Sequence, residues 1–270
     1  MVVLAEVVEL LHAWFPPSSA ASWDAVGLVC GDPRAEVSKV MFAVDPVQPV
    51  ADEAVAWGAD LLVTHHPLFL RPVHGVAETT PKARTLATLM RHGCALLCAH
   101  TNADVAEGGV SEAMAAALGV TDAVTFEPEG LGRVSTVAPT TLRAFAEHVA
   151  AALPATGAGS VRVAGDLDAP VSRVALCPGA GDDLLDEVLA AGADVYVTSD
   201  LRHHIVSEFV EKGGRVVEVP HWAAEWTWLP VVARRLADAL SDAAHSGAAA
   251  GDTVDTRVST IVTDPWSARI

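Results

Sequence analysis

Three short apolar segments of this 270-residue chain are each followed by side chains of the kinds that bind transition metals. These side chains are His65 and His66 after DLLVT, His100 and Asp104 after CALLCA, and His221 and Glu225 after RVVEVP. Four imidazoles and two carboxylates suit borderline divalent ions such as Zn, Fe, Mn, Co or Ni, and not Ca, which prefers oxygen ligands. The sequence therefore predicts a site for two divalent metal ions built from these six residues.

The spacing of these residues predicts how they converge. A histidine and a carboxylate four residues apart share one face if the chain turns helical after the strand. Adjacent strand residues point to opposite faces, so His65 and His66 converge only if the strand ends at Thr64, or if each serves a different ion. Pro67 favours a turn there, because proline cannot continue a central ladder. Two ions about 3.5–4 Å apart would activate a bridging hydroxide and polarise a substrate oxygen.

Short Val/Leu/Ala strands alternate with Ala-rich helices along the chain, which predicts an α/β fold with covered sheets. The predicted strands are 40–45, 60–64 and 94–100, and the predicted helices between them are 50–58 and 82–93. Ligands of open α/β sheets collect at the carboxyl ends of strands. The six candidate ligands follow such ends.

An internal repeat relates two parts of the chain. Residues 40–64 and 174–198 align without a gap, and both contain Gly-Ala-Asp followed by a strand that ends in Val-Thr. Further on, His100 and Asp104 correspond to His221 and Glu225. We therefore predict two related α/β halves.

The predicted halves are 1–125 and 126–240, with 240–270 returning to pack on the first half. Small and polar residues predict a loop over 155–170 and a flexible loop over 241–254. The β-branched residues of 255–266 predict a closing strand.

The composition excludes several classes of protein. The formal net charge is −17, which argues against duplex nucleic acid as a partner, since such affinity rests on Lys and Arg. No apolar run reaches the roughly 20 residues that span a bilayer. The N-terminal segment predicts an amphipathic helix and not a signal peptide, because Glu6 and Glu9 interrupt it. We expect a soluble, cytoplasmic protein whose four cysteines include two small buried thiols in CALLCAH.

Other polar residues leave two interpretations open. His203 and His204 follow the strand end equivalent to the one before His65, so they could assist catalysis or contact a phosphate, or simply begin a helix. Trp23 and Asp24 could touch substrate, but a packed Trp beside an Asp that serves local backbone groups is the favoured interpretation.

Six segments together resemble the NGG-interacting-factor-three family, whose dinuclear-metal members are called GTP cyclohydrolase 1 type 2 homologues. They are SWDAVGLVCG (22–31), GADLLVTHHPLF (58–69), AHTNADVAEGG (99–109), VALCPGAGDDLLDEVLAAGADVYVTSDLRHH (174–204), PHWAAEW (220–226) and IVTDPW (261–266). The resemblance implies the same six metal ligands. Two positions depart from the family pattern, which usually has Gly where this chain has Pro220 and Ser199.

The resemblance also implies two interlocked α/β halves with the metal site between them, a toroidal homohexamer and a cytoplasmic location. It implies a metal-dependent hydrolase that acts on a nucleotide or related heterocycle through a metal-bridging hydroxide. The alternatives are a metal-dependent phosphodiesterase and a non-catalytic metal-binding, regulatory or metal-chaperone protein.

Overall fold

The computed structural model describes residues 2–159, 161–245 and 254–270. The chain divides into two compact units. The first comprises Met1–Ala106 and Leu229–Thr263, and the second comprises Glu107–Trp228 and Asp264–Ile270. Each unit contains one five-stranded sheet with helices packed on it.

Strands and helices alternate over residues 39–98 as the sequence predicts, whereas elsewhere two helices or two strands follow one another. The helices are α1 (Leu4–Trp14), α2 (Gln48–Trp57), α3 (Pro81–Arg91), α4 (Thr101–Val105), α5 (Val110–Ala117), α6 (Leu142–Ala152), α7 (Leu185–Ala190), α8 (His203–Glu211), α9 (His221–Trp226) and α10 (Leu229–His245). The strands are β1 (Gly27–Cys30), β2 (Lys39–Ala43), β3 (Leu61–Thr64), β4 (Ala95–Cys98), β5 (Arg133–Thr141), β6 (Arg162–Ala164), β7 (Pro170–Ala180), β8 (Val195–Ser199), β9 (Val216–Glu218) and β10 (Asp255–Val258). A 3-10 turn spans Pro17–Ser19.

The sheet of the first unit has the order β1-β4-β3-β2-β10. Strands β10, β2, β3 and β4 are parallel, and β1 runs antiparallel to β4. Every residue of β3 and β4 is buried, as expected for parallel strands covered on both faces. Met41, Leu62 and Leu96 form a core cluster with side chains of α2 and α3. Because β2, β3 and β4 are parallel, their carboxyl ends meet at one edge.

The sheet of the second unit has the order β5-β7-β8-β9-β6. Its centre, β7-β8-β9, is parallel like β2-β3-β4 of the first sheet, and β6 pairs antiparallel with β9 as β1 does with β4. The fifth strands differ, because β10 is parallel to β2 whereas β5 is antiparallel to β7. The two sheets agree with the predicted internal duplication.

The repeated Gly-Ala-Asp has the same structural role in both units. Gly58 and Gly192 follow helices α2 and α7 with φ of 76° and 67°, a left-handed conformation that ends a helix most readily at glycine. The carboxylate of the aspartate two residues later then accepts hydrogen bonds from the neighbouring chain segment, around the start of β2 and within β7. These hydrogen bonds run from Ser38 N (2.8 Å), Ser38 Oγ (2.8 Å) and Lys39 N (2.9 Å) to Asp60 Oδ2, and from Ser172 N (2.8 Å), Ser172 Oγ (3.0 Å) and Arg173 N (2.8 Å) to Asp194 Oδ2.

Three predicted segments need correction. The predicted loop 155–170 contains strand β6, whose three residues pair with β9. The predicted closing strand 255–266 ends at Val258. The amide of Ser259 still bonds to β2, but the amide of Thr260 donates to the Glu53 side chain instead of to a neighbouring strand. Residues 241–245 of the predicted flexible loop continue α10, and 246–253 lie outside the described residues.

The predicted halves and the compact units have different limits. Helix α5 packs on β5 and β7, so the second unit begins before residue 126. Helix α10 packs on β2 and β10, so the first unit resumes at Leu229. Among the described residues, no helix combines the length and apolar character needed to cross a bilayer.

Candidate metal centre

His65 and His66 of the first unit lie at the edge of the sheet, directly after the end of β3. The strand stops at Thr64, whose hydroxyl donates to the carbonyl of His66 over 2.9 Å. The His65 amide still bonds to the last residue of β2, at Ala43 O (3.1 Å), and the His66 amide bonds to the next residue, at Val44 O (2.9 Å). Their imidazoles converge, with ring centroids 5.1 Å apart, as the sequence predicts for a strand that ends at Thr64.

The end of β4 adds His100 to the same edge. Its ring centroid lies 5.1 Å from that of His65 and 5.4 Å from that of His66. One nitrogen from each of these three imidazoles lies within 4.8 Å of the others, a spacing that could hold a metal ion. Asp104, on the short helix α4 that follows His100, places Oδ1 3.6 Å from His65 Nε2. These four predicted ligands therefore lie together.

Each of these imidazoles has a hydrogen-bond acceptor at Nδ1. The partners are Ala99 O for His65 (3.0 Å), Asp45 Oδ1 for His66 (2.7 Å) and Asp24 Oδ1 for His100 (2.8 Å). Since a carbonyl or carboxylate oxygen only accepts, Nδ1 carries a proton, and in the neutral ring Nε2 then carries the lone pair that a metal needs. The same partners fix the ring orientations. The donor chemistry and its support fit a divalent ion.

Asp24 is the most heavily bonded of these partners. Its carboxylate, whose side chain is fully buried, accepts from His100 Nδ1, from Ala25 N at 2.7 Å and from Thr101 N at 3.0 Å. Burial raises the pKa of the Asp24 carboxyl, but the hydrogen bonds from His100 and Thr101 outweigh it and hold the pKa well below its usual range. Asp24 is therefore an ionised partner for His100.

The second unit holds the remaining predicted ligands on α9, which follows β9. His221 Nε2 lies 2.8 Å from Glu225 Oε1, one helical turn further on, as the spacing predicts. Asp200 Oδ2 accepts from His221 Nδ1 over 2.8 Å, so this imidazole has the same Nδ1 support as those of the first unit. Glu225 is buried, with 3% of its surface exposed.

The backbone around this pair is specialised. Asp200 follows β8 with φ of 55°, a conformation that few residues other than glycine adopt and that often marks functional sites. Gly179 at the end of β7 has φ of 72°, and a Cβ there would lie 2.8 Å from Glu225 Oε1. Both features bring the chain close to His221 and Glu225.

The auxiliary candidates have different outcomes. His203 and His204 are exposed at the start of α8 with ring centroids 5.2 Å apart, and neither joins a group of ligand atoms in the described part of the chain. The favoured interpretation of Trp23 as packed is wrong, because 60% of its surface is exposed. Its ring centroid lies 5.9 Å from that of His100, edge to face. Asp24 does bind backbone amides, as expected, but it also bonds to the candidate ligand His100.

Sequence reasoning missed the supporting carboxylates Asp45 and Asp200. A signal was present for each: Asp45 closely follows β2 at the edge that carries His65, and Asp200 aligns with His66 in the internal repeat.

The interpretation of Cys94 and Cys98 as buried thiols is right for both. Burial raises the pKa of Cys94 to about 12, and Cys98 Sγ lies 3.2 Å from the carbonyl of His65.

The fold and this site define an α/β protein with histidine and carboxylate groups that could hold a divalent metal ion. The model of the Duf34/NIF3 (NGG1p interacting factor 3) family matches residues 2–250. The chain belongs to this family.

Individual relatives and structures agree with that assignment. A protein of Streptomyces coelicolor named GTP cyclohydrolase 1 type 2 homolog is 48% identical over 277 aligned residues, which cover 99% of this chain and 94% of the relative. A Bacillus cereus protein related to NIF3 has the same fold, with a TM-score of 0.89, 22% identity and 98% of each chain covered. A Staphylococcus aureus hypothetical protein has a TM-score of 0.84 at 26% identity, again with 98% of each chain covered.

Proposed function

We propose that the protein binds two divalent metal ions and is a metal-dependent hydrolase that acts on a nucleotide or a related heterocycle. The proposed ions are Zn, Fe, Mn, Co or Ni. The proposed ligands are His65, His66, His100, Asp104, His221 and Glu225. The observation that carries the proposal is the shared support of the four imidazoles, each of which donates Nδ1–H to an oxygen and so keeps Nε2 as the ligand atom.

The chain's own residues supply orientation and charge. Asp24, Asp45 and Asp200 hold His100, His66 and His221 in one tautomer, which makes each imidazole a better ligand. The carboxylates of Asp104 and Glu225 offset part of the charge of the ions. Bound divalent ions would lower the pKa of water and polarise a substrate oxygen, so no serine or cysteine nucleophile is needed.

The substrate class rests on two supports. One is the name GTP cyclohydrolase 1 type 2 homolog, carried by the 48% identical relative. The other is Trp23, whose exposed indole next to His100 offers a face on which a planar ring could stack. From the family resemblance we also propose a toroidal homohexamer and a cytoplasmic location.

Metal content and turnover, measured on the same preparation, test the proposal. We expect two ions per chain and hydrolysis of GTP or another member of a nucleotide panel, with both reduced in His65→Ala and in Glu225→Ala. His92→Ala, which replaces an exposed histidine bonded to its own helix, is the matched control and should change neither. Two bound ions without turnover across the panel and a model phosphodiester would instead identify a metal-binding protein that is not a hydrolase.

A further inference from the structure

We infer that the segment 259–263, here called the C-terminal strap, positions the metal ligand His66 by fixing the carboxylate of Asp45. In this arrangement Thr263 and Asp45 are positioning residues, and neither is a ligand. The inference rests on the proposed metal-binding function, which it extends to a part of the chain far from the predicted ligands in sequence.

The two oxygens of Asp45 have different partners. Oδ1 lies 2.7 Å from His66 Nδ1, and Oδ2 accepts from the hydroxyl of Thr263. A carboxylate held through one oxygen can still rotate about its last side-chain bond. The second bond fixes the plane of the carboxylate, and with it the direction from which Oδ1 meets the imidazole.

Several contacts hold the strap before it reaches Asp45. Strand β10 runs parallel to β2, and Ser259 N then donates to Phe42 O over 2.8 Å. Thr260 donates to Glu53 Oε1 through its amide (3.0 Å) and its hydroxyl (2.7 Å). Ile261 packs against the core cluster of the first sheet. These contacts direct the strap to the carboxyl end of β2, where Asp45 lies.

His66 depends on this support more than His65 does. The side chain of His65 is 1% exposed, so packing alone restricts its ring. The side chain of His66 is 24% exposed and that of Asp45 is 25% exposed. With less packing around them, the hydrogen bonds from Asp45 to His66 and from Thr263 to Asp45 set the orientation of the ligand.

The test compares two threonines of the strap. Thr263→Val removes the hydroxyl that binds Asp45, and Thr260→Val removes a hydroxyl that binds Glu53 without contacting Asp45. Zn²⁺ affinity is measured on the full chain by competition with a chromophoric chelator, and thermal unfolding is followed in parallel. We expect Thr263→Val to weaken one Zn²⁺ site by about fivefold, the effect of one lost hydrogen bond. Thr263→Ser should restore the affinity, and Thr260→Val should leave it unchanged.

Asp45→Ala should have a larger effect, about 10–100-fold, because it removes the direct partner of a ligand. Equal Zn²⁺ affinities of wild type and Thr263→Val would overturn the inference while leaving the proposed function intact. Equal losses in Thr263→Val and Thr260→Val would also overturn it, because the strap would then act only through stability. Wild-type protein that takes up no Zn²⁺ would overturn the proposed function, and the inference with it.

Discussion

At the scale of single residues, the ligand set depends on partners that are not ligands. Each of the four candidate histidines has its Nδ1 bound to an oxygen, and three of these oxygens belong to carboxylates. Such partners orient a ring and raise its basicity, so their loss commonly weakens metal binding by about 10–100-fold. Replacing one of the supporting aspartates should therefore weaken metal binding almost as much as replacing one of the proposed ligands.

Asp24→Asn tests this for His100. An amide offers one acceptor oxygen where the carboxylate offers two, so an NH₂ group would face either Thr101 N or His100 Nδ1. We expect Zn²⁺ affinity to fall by at least about tenfold, measured by chelator competition. Asp32→Asn, at an exposed aspartate paired with Arg34, should leave the affinity unchanged. Equal affinities of the two variants would show that Asp24 does not support the site.

Gly179→Ala tests whether metal binding needs the close approach of the backbone to His221 and Glu225. A Cβ at this position would lie 2.8 Å from Glu225 Oε1, and the backbone has φ of 72°. Gly192→Ala is a matched control, because its φ is 67° and nothing lies within 4 Å of the added Cβ. Both variants should lose about 1–2 kcal/mol of unfolding free energy through backbone strain, measured by denaturant titration. Only Gly179→Ala should lose bound metal; equal metal contents would contradict this account.

At the scale of elements, the repeat gives the two units the same connection between a helix and a parallel strand. In both units a left-handed glycine follows a helix, and an aspartate two residues later accepts hydrogen bonds from the backbone of the neighbouring parallel strand. The glycine turn and the aspartate hydrogen bonds connect β2 with β3 and β7 with β8, and so help to set the register of each pair. The candidate ligands His65 and His66 follow the opposite, carboxyl end of β3.

Asp194→Asn tests this role in the second unit and predicts a pH dependence. Burial raises the pKa of Asp194, but hydrogen bonds from Ser172 and Arg173 outweigh it and hold the pKa below the ordinary value of 3.8. Because the folded-state pKa is lowered, the stabilisation is present above that ordinary value and is lost as the pH falls through the folded-state pKa. The variant should be less stable than wild type by about 1–2 kcal/mol at pH 7, and the difference should shrink near pH 3.

Unfolding by denaturant at both pH values measures the difference. Asp168→Asn, at a side chain that is 83% exposed, serves as the control and should match wild type at pH 7. A difference for Asp194→Asn that stays constant from pH 7 to pH 3 would show that its ionised form does not supply the stabilisation.

The sequence reveals the candidate ligands more readily than the aspartates that bond to them. Ligand-type residues at three strand ends, with a helical spacing after two of them, form a pattern visible in the chain. For Asp45 and Asp200 the sequence gives only their place after a strand, and an aspartate in that position usually serves a turn. Their partners lie 21 residues away in sequence, and only the folded sheet edge brings them together.

The elements that the sequence misses depend on distant partners in the same way. Strand β6 has three residues within a Gly- and Asp-rich stretch, and it exists because β9 pairs with it. Strand β10 stops after Val258 because the carboxylate of Glu53, more than 200 residues away in sequence, accepts hydrogen bonds from the Ser259 hydroxyl and the Thr260 amide. Neither contact can be predicted from the residues near β6 or β10 in the sequence.

At the scale of the whole molecule, the chain consists of two compact units with related sheets, and each contributes ligand-type residues from strand ends. The relation is not symmetrical. His65 and His66 of the first unit align with Ser199 and Asp200 of the second, and Asp200 serves as the support of a histidine. Duplication therefore supplied two similar frameworks, one of which carries additional imidazoles.

The central claim is that divalent ions bind to the Nε2 atoms of His65, His66, His100 and His221. Anomalous diffraction from crystals grown with Zn²⁺ and recorded on either side of the zinc absorption edge measures this directly. We expect two anomalous peaks per chain, bonded to Nε2 nitrogens at about 2.0–2.1 Å, with Asp24, Asp45 and Asp200 still bound to Nδ1. Zinc peaks bonded to Nδ1, or zinc peaks found only at other residues, would contradict the claim.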